Sequence, residues 1–116
     1  MDEDRRILTL SVASREEIDA RVRRAASGVP QGARITFTSL DLLWRVITPR
    51  RLDILRAMAG GETMTIREVA RRVGRDVKAV HGDVRSLVEA GLLDETQGGV
   101  RFDYDGLHLD VVLMAA

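Results

Sequence analysis

TIREVARRVGRDVKAVHGDVRSLVEAGLL, residues 65–93, is the stretch that decides the fold. Thr65 and Glu68 have the spacing of a capping box, in which a hydroxyl and a carboxylate satisfy the free N–H groups at a helix start. Ile66, Val69, Ala70 and Val73 recur at +3, +4 and +7, the apolar stripe of a short amphipathic helix. Gly74 ends it. Gly74-Arg75-Asp76 leaves room only for a sharp turn, which glycine's freedom at positive φ permits. Asp76 is a natural N-cap for a second helix. Val77, Val80, Val84, Leu87 and Val88 mark its buried side, and Gly91 closes it. Lys78, His81, Gly82, Arg85 and Glu89, at +3, +4, +7 and +11 from Lys78, share its polar side.

Working outward, Leu92 to Thr96 and Val100 to Tyr104 are two short runs around Gly98-Gly99, the pattern of a β-hairpin. Leu107, Leu109, Val111 and Leu113 alternate with His108, Asp110, Val112 and Met114, which fits a last strand with one half-buried face; a short helix is the alternative. Upstream, Thr48-Pro49 reads as an N-cap followed by proline at the first helical position. Leu52, Ile54, Leu55 and Met58 carry that helix to Gly60-Gly61. Ser39 is a plausible cap for Leu40 to Ile47, either a separate helix or one kinked at Pro49. Met58 and Met64 read as core filler. Residues 6–13 read as a strand. Ser14 and Glu17 cap a helix with Ile18, Val22 and Ala25 or Ala26 on its apolar stripe, ended by Gly28 and Pro30. Ala33 to Thr38 reads as a second strand. The expected architecture is therefore α+β, with a strand-helix-strand appendage over 1–38 and a helical domain with a hairpin over 39–116.

Helix, short turn, helix and hairpin over 49–104 form the order of a winged helix-turn-helix. The second motif helix, 76–90, has the diameter to enter the major groove of B-DNA with its polar side toward base edges. The N-terminus of that helix and its cap offer backbone N–H groups to a phosphate, and Thr65 is a further candidate DNA contact. Charge agrees locally. The chain is neutral overall, with 18 basic and 18 acidic residues. Residues 45–85 hold ten basic and five acidic groups, whereas residues 86–116 hold one and six. The middle block is the expected electrostatic footprint. The acidic end suits a basic protein partner or is a solvated edge.

The runs Thr65 to Gly74 and Val80 to Leu93 resemble the winged helix-turn-helix of MarR/ArsR-type bacterial and archaeal regulators. Leu43-Trp44, Ile47-Thr48-Pro49-Arg50-Arg51 and Phe102-Asp103-Tyr104-Asp105 resemble, more narrowly, a family of small predicted transcriptional regulators whose members are held to act as antitoxins beside toxin genes. The broad resemblance covers about 48–104 and the narrower one about 37–116. It implies that Lys78, Ala79, His81, Gly82 and Arg85 lie on a recognition helix. Two features depart from the pattern. Gly82 sits in mid-helix, where glycine costs about 0.5–1 kcal/mol relative to alanine, and marks either close approach to DNA or a close helix–helix contact. The hairpin carries Asp94 and Glu95, with Arg101 its only basic residue, leaving Gln97 and Arg101 as tip contacts.

Arg67, Arg71, Arg72 and Arg75 are candidates for phosphate contacts, or for salt bridges with Glu68 or Asp76. His81 is a DNA contact or an idle surface residue, and His108 is structural. Trp44 reads as a core or dimer-interface anchor, since Leu40 and Leu43 share its helix face. Arg21, Arg23 and Arg24 form a second DNA-facing cluster or a solvated face balanced by Glu16, Glu17 and Asp19. The absence of cysteine excludes disulfides, thiolate metal sites and thiol nucleophiles. The histidines have no metal-ligand spacing, and neither a phosphate-binding glycine loop nor a serine elbow occurs. No enzyme activity, cofactor or metal is expected. No run of 18 apolar residues suggests a membrane span. The acidic Met1-Asp2-Glu3-Asp4 does not look like a secretory signal, so a cytoplasmic location is expected. The partners expected are double-stranded DNA, a second copy in a homodimer through residues 1–47, including the 1–38 appendage and Leu40, Leu43 and Trp44, or through the last strand, and a toxin protein.

Overall fold

The computed structural model describes residues 5–26 and 32–113. In chain order they form β1 (Ile7–Val12), α1 (Arg15–Ala26), β2 (Arg34–Phe37), α2 (Leu40–Val46), α3 (Pro49–Met58), α4 (Ile66–Val73), α5 (Val77–Glu89), β3 (Asp94–Thr96), β4 (Gly99–Arg101) and β5 (Gly106–Asp110). The architecture is α+β, in two compact units. A sheet unit comprises Ile7–Arg45 and Leu107–Ala116; a helical unit comprises Met1–Arg6 and Val46–Gly106. The boundary expected after residue 38 therefore moves: most of α2, and β5, group with the first strands. The reason is hydrogen bonding, since β5 joins β1 and β2 in a sheet of order β2-β1-β5.

In the sheet unit, β1 and β2 run parallel, with Leu10 opposite Ile35 and Ser11 opposite Thr36. Parallel neighbours need a crossover, and α1 supplies it. The Ser14 hydroxyl caps α1 by accepting the Glu17 N–H at 3.1 Å. Gly28 and Pro30, expected to end α1, lie outside the described residues, as do the side chains of Arg24, Ala25 and Ala26. Leu8 and Leu10 are buried, but Val22, expected on the apolar stripe of α1, is 61% exposed. On the sheet α1 meets hydroxyls: Arg21 donates to Thr36 Oγ1 at 2.9 Å and Ser11 Oγ at 3.4 Å. These polar contacts stand beside the expected apolar stripe, of which Ile18 is half-buried. They also take Arg21 out of the supposed Arg21, Arg23 and Arg24 surface cluster. The last strand differs too. It ends at Asp110, so Leu113 lies beyond the sheet, and Leu109 is exposed rather than half-buried.

In the helical unit, Thr48 caps α3 through the Arg51 N–H, and Pro49 occupies its first turn. α2 and α3 are thus separate helices. Ile54, Leu55, Met58, Val69, Ala70, Val80, Val84 and Leu87 are buried along α3, α4 and α5, with Leu92, Leu93, Val100 and Phe102 from the following segments. β3 and β4 pair antiparallel, with Glu95 opposite Val100 and Thr96 opposite Gly99. The tight turn is Gln97-Gly98, the first two residues of the expected Gln97-Gly98-Gly99 connection. Gly99 is drawn into the strand because Met64 and Val100 exchange two backbone hydrogen bonds of 2.8 Å beside it. A Cβ at Gly99 would strike the Met64 carbonyl. Arg6 belongs to this unit: its N–H donates to Asp105 Oδ2 at 2.9 Å and its guanidinium pairs with Asp103 at 2.9 Å.

Candidate nucleic-acid interface

α4 starts at Thr65, whose hydroxyl accepts the Glu68 N–H at 3.1 Å. It stops at Gly74, which adopts φ 67° and ψ 36°. The Gly74 N–H bonds to the Arg71 carbonyl at 3.3 Å and the Arg75 N–H to the Ala70 carbonyl at 3.1 Å, the pairing that closes a helix through a left-handed residue. Asp76 then caps α5 through the N–H groups of Lys78 and Ala79. Two helices are so joined through a three-residue turn, Gly74 to Asp76.

α5 is two-faced as its 3.6-residue period requires. Val80, Val84 and Leu87 are buried, while Lys78, Ala79, His81, Gly82, Arg85 and Glu89 are exposed; Val77, expected on the buried side, is instead 44% exposed in the first turn, and Val88 is half-buried. At Gly82 nothing lies within 4 Å of where a Cβ would stand. The helix–helix reading of that glycine is therefore removed within this chain. Thr65, Arg67 and Arg71 are exposed on α4 and line, with Arg75 and Val77, a shallow groove beside the start of α5.

The other basic residues expected at this face are engaged. Arg75 pairs with Asp83 at 2.8 Å, and its side chain is only 18% exposed. Arg51, from α3, reaches the other oxygen of Asp83 at 3.0 Å and donates to Ser86 Oγ at 3.1 Å and the Val46 carbonyl at 3.0 Å. Burial pushes the Asp83 carboxyl up, but the guanidiniums of Arg51 and Arg75 outweigh it and hold it below the usual carboxylate range. Arg75 is thus a brace between the turn and α5 rather than an open phosphate ligand, and its partner is Asp83 rather than Glu68 or Asp76. Arg71 and Arg72 close on Glu68, at 2.6 and 2.7 Å. Hydrogen bonds from Arg71 and Arg72 hold the Glu68 carboxyl down at about 2. Arg85 pairs with Glu95 of β3 at 2.7 Å. Among the described residues, Arg67 and Lys78 have no ion-pair partner.

The hairpin contributes little positive charge. Gln97 is exposed at the turn, but Arg101 lies on β4 opposite Asp94, with its Nε buried. Of the residues expected at a dimer interface, Leu43 is fully buried within the chain and cannot face a partner. Leu40 is partly exposed, and Trp44 is 50% exposed. Sequence reasoning missed Asp83 and Glu95. An acid standing among the outward cations of α5 was the available signal for the first; the second, 10 residues from Arg85 along the chain, had none.

Among the described residues no group of three or more His, Asp or Glu side chains could hold a metal ion, and no helix is long and apolar enough to cross a membrane. A family model described as HVO_A0114 matches residues 46–109, a span that begins where the helical unit does. No curated protein and no solved structure matches the chain.

Proposed function

We propose that this chain, which belongs to the HVO_A0114 family, is a sequence-specific DNA-binding transcriptional regulator. Its helical unit acts as a winged helix-turn-helix, with α5 as the recognition helix and β3–β4 as the wing, and it represses. The observation that carries this reading is the outward stripe Lys78, His81, Gly82 and Arg85 on a helix whose other side is locked into the core. A helix so anchored presents a rigid polar edge, which major-groove reading requires. The open space over Gly82 suits close approach of a DNA backbone or base edge. Arg67, Arg71 and the cap at Thr65 would take phosphates.

One such helix offers few base contacts, so the active species is a homodimer on two half-sites. Support comes from the exposed large apolar side chains among the described residues. Ile7, Val22, Leu42, Trp44, Leu109, Val112 and Leu113 all belong to the sheet unit, and only Val77 to the helical unit. A monomer by light scattering at micromolar concentration would overturn the dimer.

The test of DNA reading is fluorescence anisotropy across a salt series. It compares duplex from upstream of the protein's own gene with a scrambled duplex. Tighter binding of the upstream duplex is expected; equal binding at every salt would refute it. The second reading, a module that neutralises a toxin protein, is favoured by the outward Asp94 and Glu95 and by the apolar Val112 and Leu113. Charge reversal at Lys78 and Arg85 should abolish DNA binding and spare such a partner. Val112→Asp with Leu113→Asp should do the opposite, and lies beyond the sheet.

A further inference from the structure

The Arg85–Glu95 pair stands on the very face assigned to DNA. Arg85 lies on the outward stripe of α5, and Glu95 approaches it from β3 at 2.7 Å, both side chains about half exposed, 48% and 59%. Glu95 is not on a loose loop. It is held opposite Val100 in the hairpin ladder, and Val100 is itself bonded twice to Met64. The carboxylate therefore has a fixed station beside the Arg85 guanidinium. Together with His81 the pair rims a groove between α5 and the hairpin, floored by Val84, Val88 and Val100.

We propose that Glu95 is a specificity-determining competitor of DNA: it occupies the Arg85 guanidinium in the free protein and must be displaced before Arg85 contacts a duplex. The proposal rests on the DNA-binding reading of the same face. A phosphate at Arg85 has to replace one oxyanion with another and stand near the evicted carboxylate, so a backbone contact there gains little. A guanine edge, which offers two neutral acceptors to a guanidinium, does not meet the same repulsion. The guard thus weakens binding to arbitrary sequence more than binding to a site with the right base opposite Arg85. Because exposed pairs are weak, the effect is small enough for DNA to overcome, about two- to fivefold in affinity.

The experiment measures binding of the full chain to the upstream and scrambled duplexes, comparing wild type with Glu95→Gln, Asp94→Asn, Arg85→Ala and the double variant Arg85→Ala with Glu95→Gln. Asp94 removes the same charge from the adjacent strand position, whose side chain points to the other face of the hairpin. Glu95→Gln should raise affinity for the scrambled duplex about two- to fivefold and lower the ratio of specific to non-specific binding. Asp94→Asn should gain less, and the gain should vanish in the Arg85→Ala background. No gain, a loss, or a gain that persists without Arg85 overturns the guard while leaving DNA binding standing. Failure of wild type and every variant to bind either duplex overturns both readings together.

Discussion

Gly82 separates folding from function more cleanly than any other residue on this face. It is helical, exposed and surrounded by open space. Gly82→Ala should therefore stabilise the protein by about 0.5–1 kcal/mol, through the smaller entropy lost on fixing the backbone. If the helix reads DNA at close range, the same methyl should weaken specific binding about tenfold, the equivalent of roughly 1.4 kcal/mol. A variant more stable to urea yet equally good at binding DNA would show that Gly82 is not at the contact. Asp83 makes the opposite case, a residue whose role is internal. Removing its charge strands two guanidiniums whose side chains are 17% and 18% exposed. Asp83→Asn should lower the urea-derived stability by about 2–3 kcal/mol, somewhat less than the loss seen when fully buried pairs are broken. The sign with pH follows from its lowered pKa. The carboxylate's contribution is complete above the unfolded value, about 3.9, and is lost as pH falls through the lower folded one. The gap in melting temperature between wild type and Asp83→Asn should be constant from about pH 7 to 5 and close below about pH 4.

At the level of elements, the α4–turn–α5 segment is where local sequence and final structure agree most closely. Thr65→Ala should cost about 1 kcal/mol, since the Glu68 N–H loses its acceptor; thermal melts of the two proteins measure it. Both caps, the left-handed glycine and the outward stripe of α5 were legible because each is decided within a turn or two of helix, whereas Val77, placed by periodicity on the buried side, stands exposed at the helix start. β5 was not. Its alternation of Leu107, Leu109, Val111 and Leu113 suggested a covered face, yet coverage depends on what lies over the sheet, which alternation does not encode. The pairs of Arg71 and Arg72 with Glu68, within one turn of α4, were among the alternatives the sequence offered, but the long-range ion pairs were illegible for a related reason. Arg51 and Asp83 are 32 residues apart, and only the packing of α3 on α5 brings them together. Arg75 next to Asp76 looked like an open cation in the turn, but Asp76 is occupied as a helix cap and Arg75 turns to Asp83 instead.

On the scale of the whole chain, many cations of the basic block of residues 45–85 are engaged by carboxylates, although two carboxylates shared among four guanidiniums leave the block net positive. Asp83 takes Arg51 and Arg75, Glu68 takes Arg71 and Arg72, and Glu95 reaches in from the acidic third to take Arg85. Counting basic residues along the sequence therefore overstates the number of cations free to meet phosphates, while the block's net positive charge stays. The salt dependence of binding converts this into a number, because each neutralised phosphate contributes about −0.9 to the slope of log K against log salt. If only Arg67 and Lys78 meet phosphates, each protomer contributes about −2; if Arg71 also exchanges Glu68 for a phosphate, about −3, since Arg85 at a base edge neutralises none. Engagement of all six basic residues expected at the interface, with Arg75 and Arg101 included, would give about −5. The internal pairing of Arg75 predicts a value between the first two, doubled for a dimer on two half-sites. A slope as steep as the third value, abolished by Arg75→Ala, would mean that DNA pulls Arg75 away from Asp83 and that the brace opens on binding.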